Sequence, residues 1–273
     1  MKKLRVGIIL GGMSSEREVS LNSGRNVYDN LDAEYYVGVP LFMDGTGGLW
    51  EIPWQLVSQN TTVDITERLD REARRMPYEE LKERIDFAFI SLHGKYGDDG
   101  CIQGLLELLG IPYTGPGVLA SALGMDKHIQ QKVLAAAGIE VPRSMAVREE
   151  EWRRAPEEVT ERLLQNFALP FFVKPAREGS SVGVGKIGTA ADMGRTLAEA
   201  FRWDRTALAE EFLAGIEFSG TPLDKVAGME AVEMLKKAGV KMFHKVGALR
   251  HALHAEKIGF DGIYAAGIEE GGH

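Results

Sequence analysis

The sequence predicts an α/β protein in which a parallel sheet is followed by a smaller α+β unit. Two apolar runs, "VGIIL" at 6–10 and "FAFISL" at 87–92, lack polar alternation and are typical of strands buried on both faces of a sheet. Each run ends in a polar turn, and open α/β sheets bind ligands at such carboxyl ends. The length of 273 residues allows two domains and a further unit.

The elements of the first part follow one another in an order that supports this fold class. A strand over 4–10 leads into a helix from about Glu16, at whose start Ser15 and Glu18 have the spacing of a capping box. The next predicted elements are an extended stretch near 36–43, a helix near 78–84 and the strand at 87–92. Strands that alternate with helices predict parallel pairing.

A Gly/Pro-rich turn at 110–117 predicts a domain junction, and a helix over 125–137 follows it. Gly138 ends this helix, and Lys127 lies opposite its apolar side. That side is formed by Met125, Ile129, Val133 and Ala136. The later predicted elements are a strand at 141–147, a charged helix at 156–166, a helix near 190–202 and a strand at 206–213. They predict an α+β unit.

The stretch "PFFVKPAREGSSVGVGKIG" at 170–188 predicts a β-hairpin with a small-residue tip. Its strands cover 171–174 and 182–187. Glycines let a backbone approach an anion closely, and Lys174 lies at the end of the first strand beside the loop. The hairpin therefore has the features of a lid over phosphates. A solvated hairpin with an exposed lysine is the alternative interpretation.

Two other phosphate motifs fit this stretch badly. In a P-loop, Ile187 would stand where a magnesium-binding Ser or Thr belongs. Gly183, Gly185 and Gly188 match the dinucleotide pattern, but that pattern follows a strand and opens a helix, whereas these glycines lie in a predicted strand. Neither motif is retained.

Composition limits the classes of partner. The net charge of -8 argues against nucleic acid held by general electrostatics. Cys101 is the single cysteine, which excludes an internal disulfide and a cysteine-based zinc site and suits a reducing cytoplasm. The N-terminal apolar run is too short for a signal peptide, and no run reaches membrane-spanning length. We expect a cytoplasmic protein with neither a nucleic-acid nor a membrane partner.

Residues 1–218 resemble bacterial D-alanine-D-alanine ligases of the ATP-grasp superfamily. The stretches that carry the resemblance are "LGGMSSEREVSLNSG", "SLHGKYGDDGCIQGLLELLGIPYTGPGVLASALGMDKHIQQKVL", "LPFFVKPAREGSSVGVGK" and "LAEEFLAGIEF". The resemblance implies an N-terminal pre-ATP-grasp, substrate-side domain over 1–115 and an ATP-grasp subdomain with a glycine-rich loop over 116–218. It also implies ATP-dependent joining of D-alanine for peptidoglycan precursors through an acyl phosphate.

The same resemblance implies three residues on the substrate side. Glu16 matches the carboxylate that holds the ammonium group of the first D-alanine, with a surface charge as the alternative. His93 matches a substrate-side histidine, although a histidine after a buried strand is as often a satisfied capping group. Ser180 matches a loop serine that orders the site near Glu16, and its alternative is a turn formed for backbone reasons.

Six residues are implied on the ATP side. Two of them match lysines that contact phosphates, one matches a serine that donates to the γ-phosphate, and three match contacts to adenine and ribose. The lysines are Lys127 and Lys174, and the serine is Ser181. The other three are Glu210 for the adenine amino group, the Leu213 backbone for the adenine ring and Glu217 for the ribose hydroxyls. Glu211 is expected to be a solvated charge.

The ligase resemblance ends at residue 219. The family's last third, which carries its Mg²⁺ ligands, has no counterpart in the pattern, so Mg²⁺ is expected for the family and no metal ligand is assigned. Residues 220–273 resemble part of the flavin-dependent nitronate monooxygenases, which are TIM barrels. The sequence pattern of this segment predicts a helix, a strand, a second helix and a second strand. We expect 219–273 to be a foreign βα tail that binds no flavin, because about two βα units cannot close a barrel.

Several alternatives remain open at this stage. The chain is a ligase by lineage whose activity is in doubt, or a non-catalytic nucleotide- or D-alanine-binding fragment or fusion protein. A flavin oxidoreductase is a remote third. D-lactate and D-serine variants share these motifs, and Asp98 stands where the family usually has Glu. A homodimer through the N-terminal domain is an expectation drawn from the family.

Overall fold

The computed structural model describes residues 2–138, 141–179 and 182–213, together with the strand backbones of 243–246 and 262–265. The first part of the chain forms one sheet and the second part forms another. This mixed architecture confirms the predicted α/β class. The domain limits at 115 and 218 stay predictions.

The first sheet has five strands in the order β4-β3-β2-β1-β5. Strand β1 (Leu4–Gly11) pairs in parallel with β2 (Tyr36–Met43) and with β5 (Phe87–Ile90). The short strands β3 (Leu49–Glu51) and β4 (Arg74–Arg75) add an antiparallel edge beyond β2. Parallel pairing is therefore confirmed for β1, β2 and β5, and the sequence pattern did not predict the edge.

Hydrophobic side chains cover both faces of this sheet. Successive residues of β1 point to opposite faces, so Ile8 packs in one core cluster and Ile9 in the other, each 0% exposed. The cluster of Ile8 also contains residues of the helices α1 (Arg17–Asn30), α2 (Trp54–Ser58) and α3 (Thr62–Glu72). The cluster of Ile9 also contains residues of the helices α4 (Leu81–Arg84) and α5 (Cys101–Leu109). A 3-10 turn at Tyr78–Glu80 precedes α4.

The second sheet is antiparallel, with its strands in the order β6-β9-β7-β8. These strands are β6 (Ser144–Arg148), β7 (Phe171–Pro175), β8 (Gly185–Ile187) and β9 (Thr206–Glu211). The helices of this part are α6 (Val118–Met125), α7 (Lys127–Ala136), α8 (Glu149–Arg154), α9 (Pro156–Asn166) and α10 (Met193–Phe201), and a 3-10 turn at Ala190–Asp192 precedes α10. Buried residues of α9 and α10, including Leu163 and Leu197, pack on one face of the sheet.

The predicted hairpin at 170–188 is present. Strands β7 and β8 pair antiparallel, with Phe171 opposite Ile187. The second strand is shorter than predicted because the chain turns at Gly183, whose φ of +68° is rarely adopted by residues with a side chain. The glycine-rich stretch therefore forms a hairpin and opens no helix.

The helix predicted over 125–137 corresponds to α7 and begins two residues later, at Lys127, because Asp126 has an extended conformation between α6 and α7. Its carboxylate instead caps α7 by accepting from the backbone N–H groups of His128 and Ile129 at 3.1 Å. The predicted apolar side is not a core face, since Ile129 is 43% exposed and Val133 is 47% exposed. Helical spacing alone did not show that this side of the helix is exposed.

The capping box predicted at the start of α1 is wrong. No side chain caps that helix, and the Glu18 carboxylate accepts from the backbone N–H of Thr62 at 2.9 Å and from its hydroxyl at 2.5 Å. Glu18 thus joins α1 to the start of α3. A capping box does occur at α3 itself, between Thr61 and Asp64.

The tail contains one described pair of strands, β10 (Phe243–Val246) and β11 (Gly262–Ala265), which are parallel. Both lie in the predicted strand segments, and the predicted tail helices lie outside the described residues. None of the helices in the described part of the chain has the length and apolar character needed to cross a membrane.

The packing of β7 leads to a prediction about stability. Phe171 is 0% exposed and faces α9 and α10, whereas Phe172 is half-buried on the other face of the strand. We expect Phe171→Ala to lower the free energy of unfolding by about 3–5 kcal/mol through loss of burial and an unfilled cavity. Urea denaturation of both alanine variants measures this, and an equal loss for Phe172→Ala would contradict the assigned faces.

Candidate active site

The face of the second sheet opposite α9 and α10 carries the first pair of candidate residues. Phe172 lies opposite Glu210 in the antiparallel register of β7 and β9, and Lys174 lies opposite Leu208. Because side chains alternate along a strand, Lys174 and Glu210 project from the same face. Lys174 Nζ lies 2.7 Å from Glu210 Oε1, and the two side chains are 21% and 15% exposed. They form a largely buried ion pair.

Helix α7 lies against this face and adds two more polar contacts. Lys127 Nζ donates to the backbone carbonyl of Glu178, and Gln131 Nε2 donates to Glu210 Oε2 at 2.7 Å. These two residues are four positions apart and therefore share one side of the helix. The backbone N–H of Lys127 also donates to Ala176 O at 3.1 Å, which ties the start of the helix to the hairpin loop.

The hairpin loop is anchored by a second ion pair. Arg177 donates to Asp204 Oδ2 from its backbone N–H at 2.9 Å and from Nε at 3.0 Å, and its Nη2 lies 2.7 Å from Oδ1. Asp204 is buried and precedes β9. The start of the loop is thus fixed relative to the strand that carries Glu210.

Glu16 lies at the carboxyl end of β1, just before α1, between two glycines. A Cβ atom built on Gly94 would lie 2.5 Å from Glu16 Oε2, and one built on Gly179 would lie 3.2 Å from the same oxygen. Gly94 belongs to the turn after β5, and Gly179 belongs to the hairpin loop. The Glu16 carboxylate therefore lies where the polar turns of the first sheet meet the loop of the second.

His93 lies in the same turn but is engaged with α1. Its Nε2 is 2.9 Å from the Ser23 hydroxyl, and its backbone carbonyl accepts from the Ser14 hydroxyl at 2.6 Å. Asp98 closes the turn by accepting from the backbone N–H of Gly94 at 2.6 Å. The His93 ring thus contacts the interior of α1 and lies at the edge of the site.

The surroundings of Lys127 disfavour its positive charge. Burial lowers the pKa of Lys127, and the positive charge of Lys174 lowers it further. Burial raises the pKa of Glu178, although Lys95 acts in the opposite direction. An anion bound between Lys127 and Lys174 would offset their mutual repulsion.

Comparisons with known proteins identify the family of this chain. The family described as "D-ala D-ala ligase N-terminus" matches residues 5–116, and the one described as "D-ala D-ala ligase C-terminus" matches residues 133–245. A D-alanine--D-alanine ligase of Citrifermentans bemidjiense is 35% identical, over 99% of this chain and 76% of the relative. The chain belongs to the D-alanine-D-alanine ligase family.

Other relatives of the D-alanine-D-alanine ligase family give the same picture. The enzyme of Pelotomaculum thermopropionicum is 37% identical over 87% of this chain and 66% of its own length. A solved structure of the D-alanine-D-alanine ligase from Coxiella burnetii matches with a TM-score of 0.65 and 30% identity, covering 78% of this chain and 65% of that one. The chain thus spans about two thirds of the length of the curated relatives it matches.

The match to the ligase C-terminus family reaches residue 245, beyond the point at 219 where the resemblance was expected to end. Part of the tail is therefore included in the ligase match. The likeness of 220–273 to flavin-dependent nitronate monooxygenases stays a prediction, as does the foreign origin of the tail.

The structure of this ligase-family chain brings four predicted site residues to one region. Lys127, Lys174 and Glu210 lie on one face of the second sheet, and Glu16 adjoins the hairpin loop. His93 lies beside this group and Leu213, 64% exposed, lies just beyond β9.

Ser180, Ser181 and Glu217 lie outside the described residues. Glu211, expected to be a solvated charge, pairs with Arg143 at 3.0 Å.

Gln131 is the contact residue that the sequence patterns did not identify. An available signal was its position one helical turn beyond Lys127, on the same side of the predicted helix. That signal was not used because the helix was interpreted through its apolar side, formed by Met125, Ile129, Val133 and Ala136. The described residues contain no group of three or more His, Cys, Asp or Glu side chains that would hold a metal ion.

The ion pair between Lys174 and Glu210 leads to a prediction about stability. Lys174→Met leaves Glu210 Oε1 without its donor, so we expect the free energy of unfolding to fall by about 1–3 kcal/mol. Lys186→Met is the control, because Lys186 is exposed on the adjacent strand and lies over the Phe212 ring at 5.3 Å. We expect it to cost no more than about 1 kcal/mol.

A double-mutant cycle with Glu210→Gln separates the pair from its surroundings. The double variant is expected to lose less stability than the sum of the two single variants. Strictly additive losses in urea denaturation would show that the contact contributes no coupling energy.

Proposed function

We propose that this chain binds ATP and D-alanine and acts as an ATP-dependent D-alanine-D-alanine ligase in peptidoglycan precursor synthesis. The observation that carries the proposal is the meeting of Glu16 with Gly179 of the hairpin loop, whose strands and neighbouring helix hold Lys127, Lys174 and Glu210. A carboxylate suited to an amine and two ammonium groups suited to phosphates thereby border one loop.

In the proposed complex the triphosphate lies against Lys127 and Lys174. Both ammonium groups act as compact charges that offset negative charge on the transferring phosphoryl group. The Glu210 carboxylate, already held by two donors, accepts from the adenine amino group. The resemblance to the family adds the Leu213 backbone at the adenine ring, Ser181 at the γ-phosphate and Glu217 at the ribose.

The first D-alanine binds with its ammonium group at Glu16. Its carboxylate then points toward the hairpin loop, because Gly179 adjoins the Glu16 side chain. The family resemblance adds Ser180 as the residue that orders this contact and His93 as a neighbour of the substrate. The ring of His93 is oriented by its contact with Ser23.

The proposed chemistry has two steps and needs no covalent enzyme intermediate. The carboxylate of the first D-alanine attacks the γ-phosphorus, which forms an acyl phosphate and releases ADP. The deprotonated amine of the second D-alanine then attacks the acyl carbon, which forms the peptide bond and expels phosphate. The described residues contribute positioning and charge compensation to this sequence.

Magnesium is the metal that the family implies. Among the described residues, no group of three or more His, Cys, Asp or Glu side chains lies together. No step above is assigned to a metal ligand of this chain. A nucleotide- and D-alanine-binding protein without turnover is the alternative that the sequence left open.

We further propose a cytoplasmic location and a homodimer formed through the N-terminal domain. The single cysteine supports the location. The dimer rests on the family resemblance alone. A monomeric mass in solution would exclude it.

The proposed function is tested by D-alanine-dependent release of ADP from Mg·ATP by the purified chain, with circular dichroism to verify folding. Turnover supports the ligase. A folded protein that binds ATP and D-alanine without turnover supports the binding protein, and a folded protein that binds neither excludes both. Replacing the second substrate by D-serine or D-lactate identifies the product class.

The position of Gly94 allows the substrate side to be tested alone. Gly94 has a φ of +70°, and a Cβ atom there would meet Glu16 Oε2 at 2.5 Å. We expect Gly94→Ala to displace the carboxylate and to weaken D-alanine binding by about tenfold or more, with the Kd of ATP unchanged. Calorimetric titration with each ligand measures both effects.

Gly124→Ala is the matched control for this substitution. A Cβ atom at this helical glycine of α6 would have nothing within 4 Å, and its φ is ordinary. It should leave the affinity for D-alanine unchanged. Equal losses in the two variants would contradict the assigned position of Glu16.

A further inference from the structure

The Glu210 carboxylate is held at both of its oxygens by donors from two different elements. Lys174 of β7 lies 2.7 Å from Oε1, and Gln131 of α7 donates to Oε2 at 2.7 Å. The carboxylate therefore cannot rotate without breaking one of these contacts. Its remaining lone pairs are presented in a fixed direction.

The contact with Glu210 also fixes the orientation of the Gln131 side chain. An ionised carboxylate only accepts hydrogen bonds, so the NH₂ group of the amide must face Glu210. The amide oxygen is then turned away and is buried with no hydrogen-bond partner among the described residues. A leucine would fill this space without leaving a buried acceptor unpaired, so the contribution of the glutamine is its bond to Glu210.

Helix α7 makes this donor a rigid one. Asp126 caps its N-terminus, and the Lys127 backbone N–H is bonded to Ala176 O at 3.1 Å. Lys174, in contrast, reaches Glu210 through a flexible stem whose ammonium group imposes little directionality. Gln131 is thus the partner that determines the orientation of the carboxylate.

We propose that Gln131 is a positioning residue for nucleotide selectivity, holding Glu210 so that the site accepts a 6-aminopurine and rejects a 6-oxopurine. This inference rests on the proposed contact between Glu210 and the adenine amino group. Adenine presents N–H donors at position 6, whereas guanine and hypoxanthine present a carbonyl oxygen whose lone pairs face those of the carboxylate. A fixed carboxylate rejects that oxygen, and a rotatable one can turn away from it.

The test compares the Kd values of ATP and inosine triphosphate for the full chain by calorimetric titration. These nucleotides differ at position 6 of the purine and in the proton that the 6-oxopurine carries on N1. In Gln131→Leu we expect the preference for ATP over inosine triphosphate to fall by about tenfold, as for the loss of one hydrogen bond to a charged group. Gln131→Arg restores N–H donors of fixed planar geometry and is expected to keep the preference within about threefold of the unsubstituted chain.

Gln130→Leu, one position earlier on the same helix, is the matched control and should leave the preference unchanged. An unchanged preference for ATP in Gln131→Leu would overturn the inference. If both nucleotides also bound more weakly by the same factor, the role of Gln131 would be purely structural. Loss of the preference in Gln131→Arg would overturn the inference too. If the unsubstituted chain binds neither nucleotide, the proposed ATP site fails and the inference fails with it.

Discussion

The antiparallel register between β7 and β9 is the constraint on which the rest of the site depends. It places Phe172 opposite Glu210 and Lys174 opposite Leu208, so the lysine and the carboxylate emerge on one face while Phe171 and Val173 enter the core. A shift of one residue would send Lys174 into the hydrophobic cluster around α9 and α10. The burial of Phe171 therefore fixes where the charges lie.

That register also determines what α7 and the hairpin loop can contact. Gln131 reaches Glu210 because α7 crosses the charged face, and Lys127 reaches the loop because it lies one turn earlier on the same side. The ion pair of Arg177 with Asp204 ties the loop to the strand that carries Glu210. Helix, loop and strand thus hold one another in place through polar contacts.

The two sheets meet at Glu16, and this meeting gives the proposed chemistry its geometry. The carboxylate follows the carboxyl end of a strand that is buried on both faces, which is where polar groups of a parallel sheet become available. Gly94 and Gly179 approach it from the two parts of the chain. A side chain at either glycine would occupy space that the carboxylate needs. Proximity of an amine-binding group to a phosphate-binding loop is what a phosphoryl transfer to a bound carboxylate requires.

The sequence by itself determined the buried strands, the hairpin with Lys174 at the end of its first strand, and the membership of the ligase family. These features depend on local alternation, on turn-forming glycines and on motif stretches that can be read along the chain. Only the tertiary structure showed that Gln131 holds Glu210, that Glu18 binds Thr62 and that Asp126 separates α6 from α7. The first two are hydrogen bonds between elements far apart in sequence. Which partner such a side chain finds depends on how helices cross sheets, and residue spacing within one element carries no information about that.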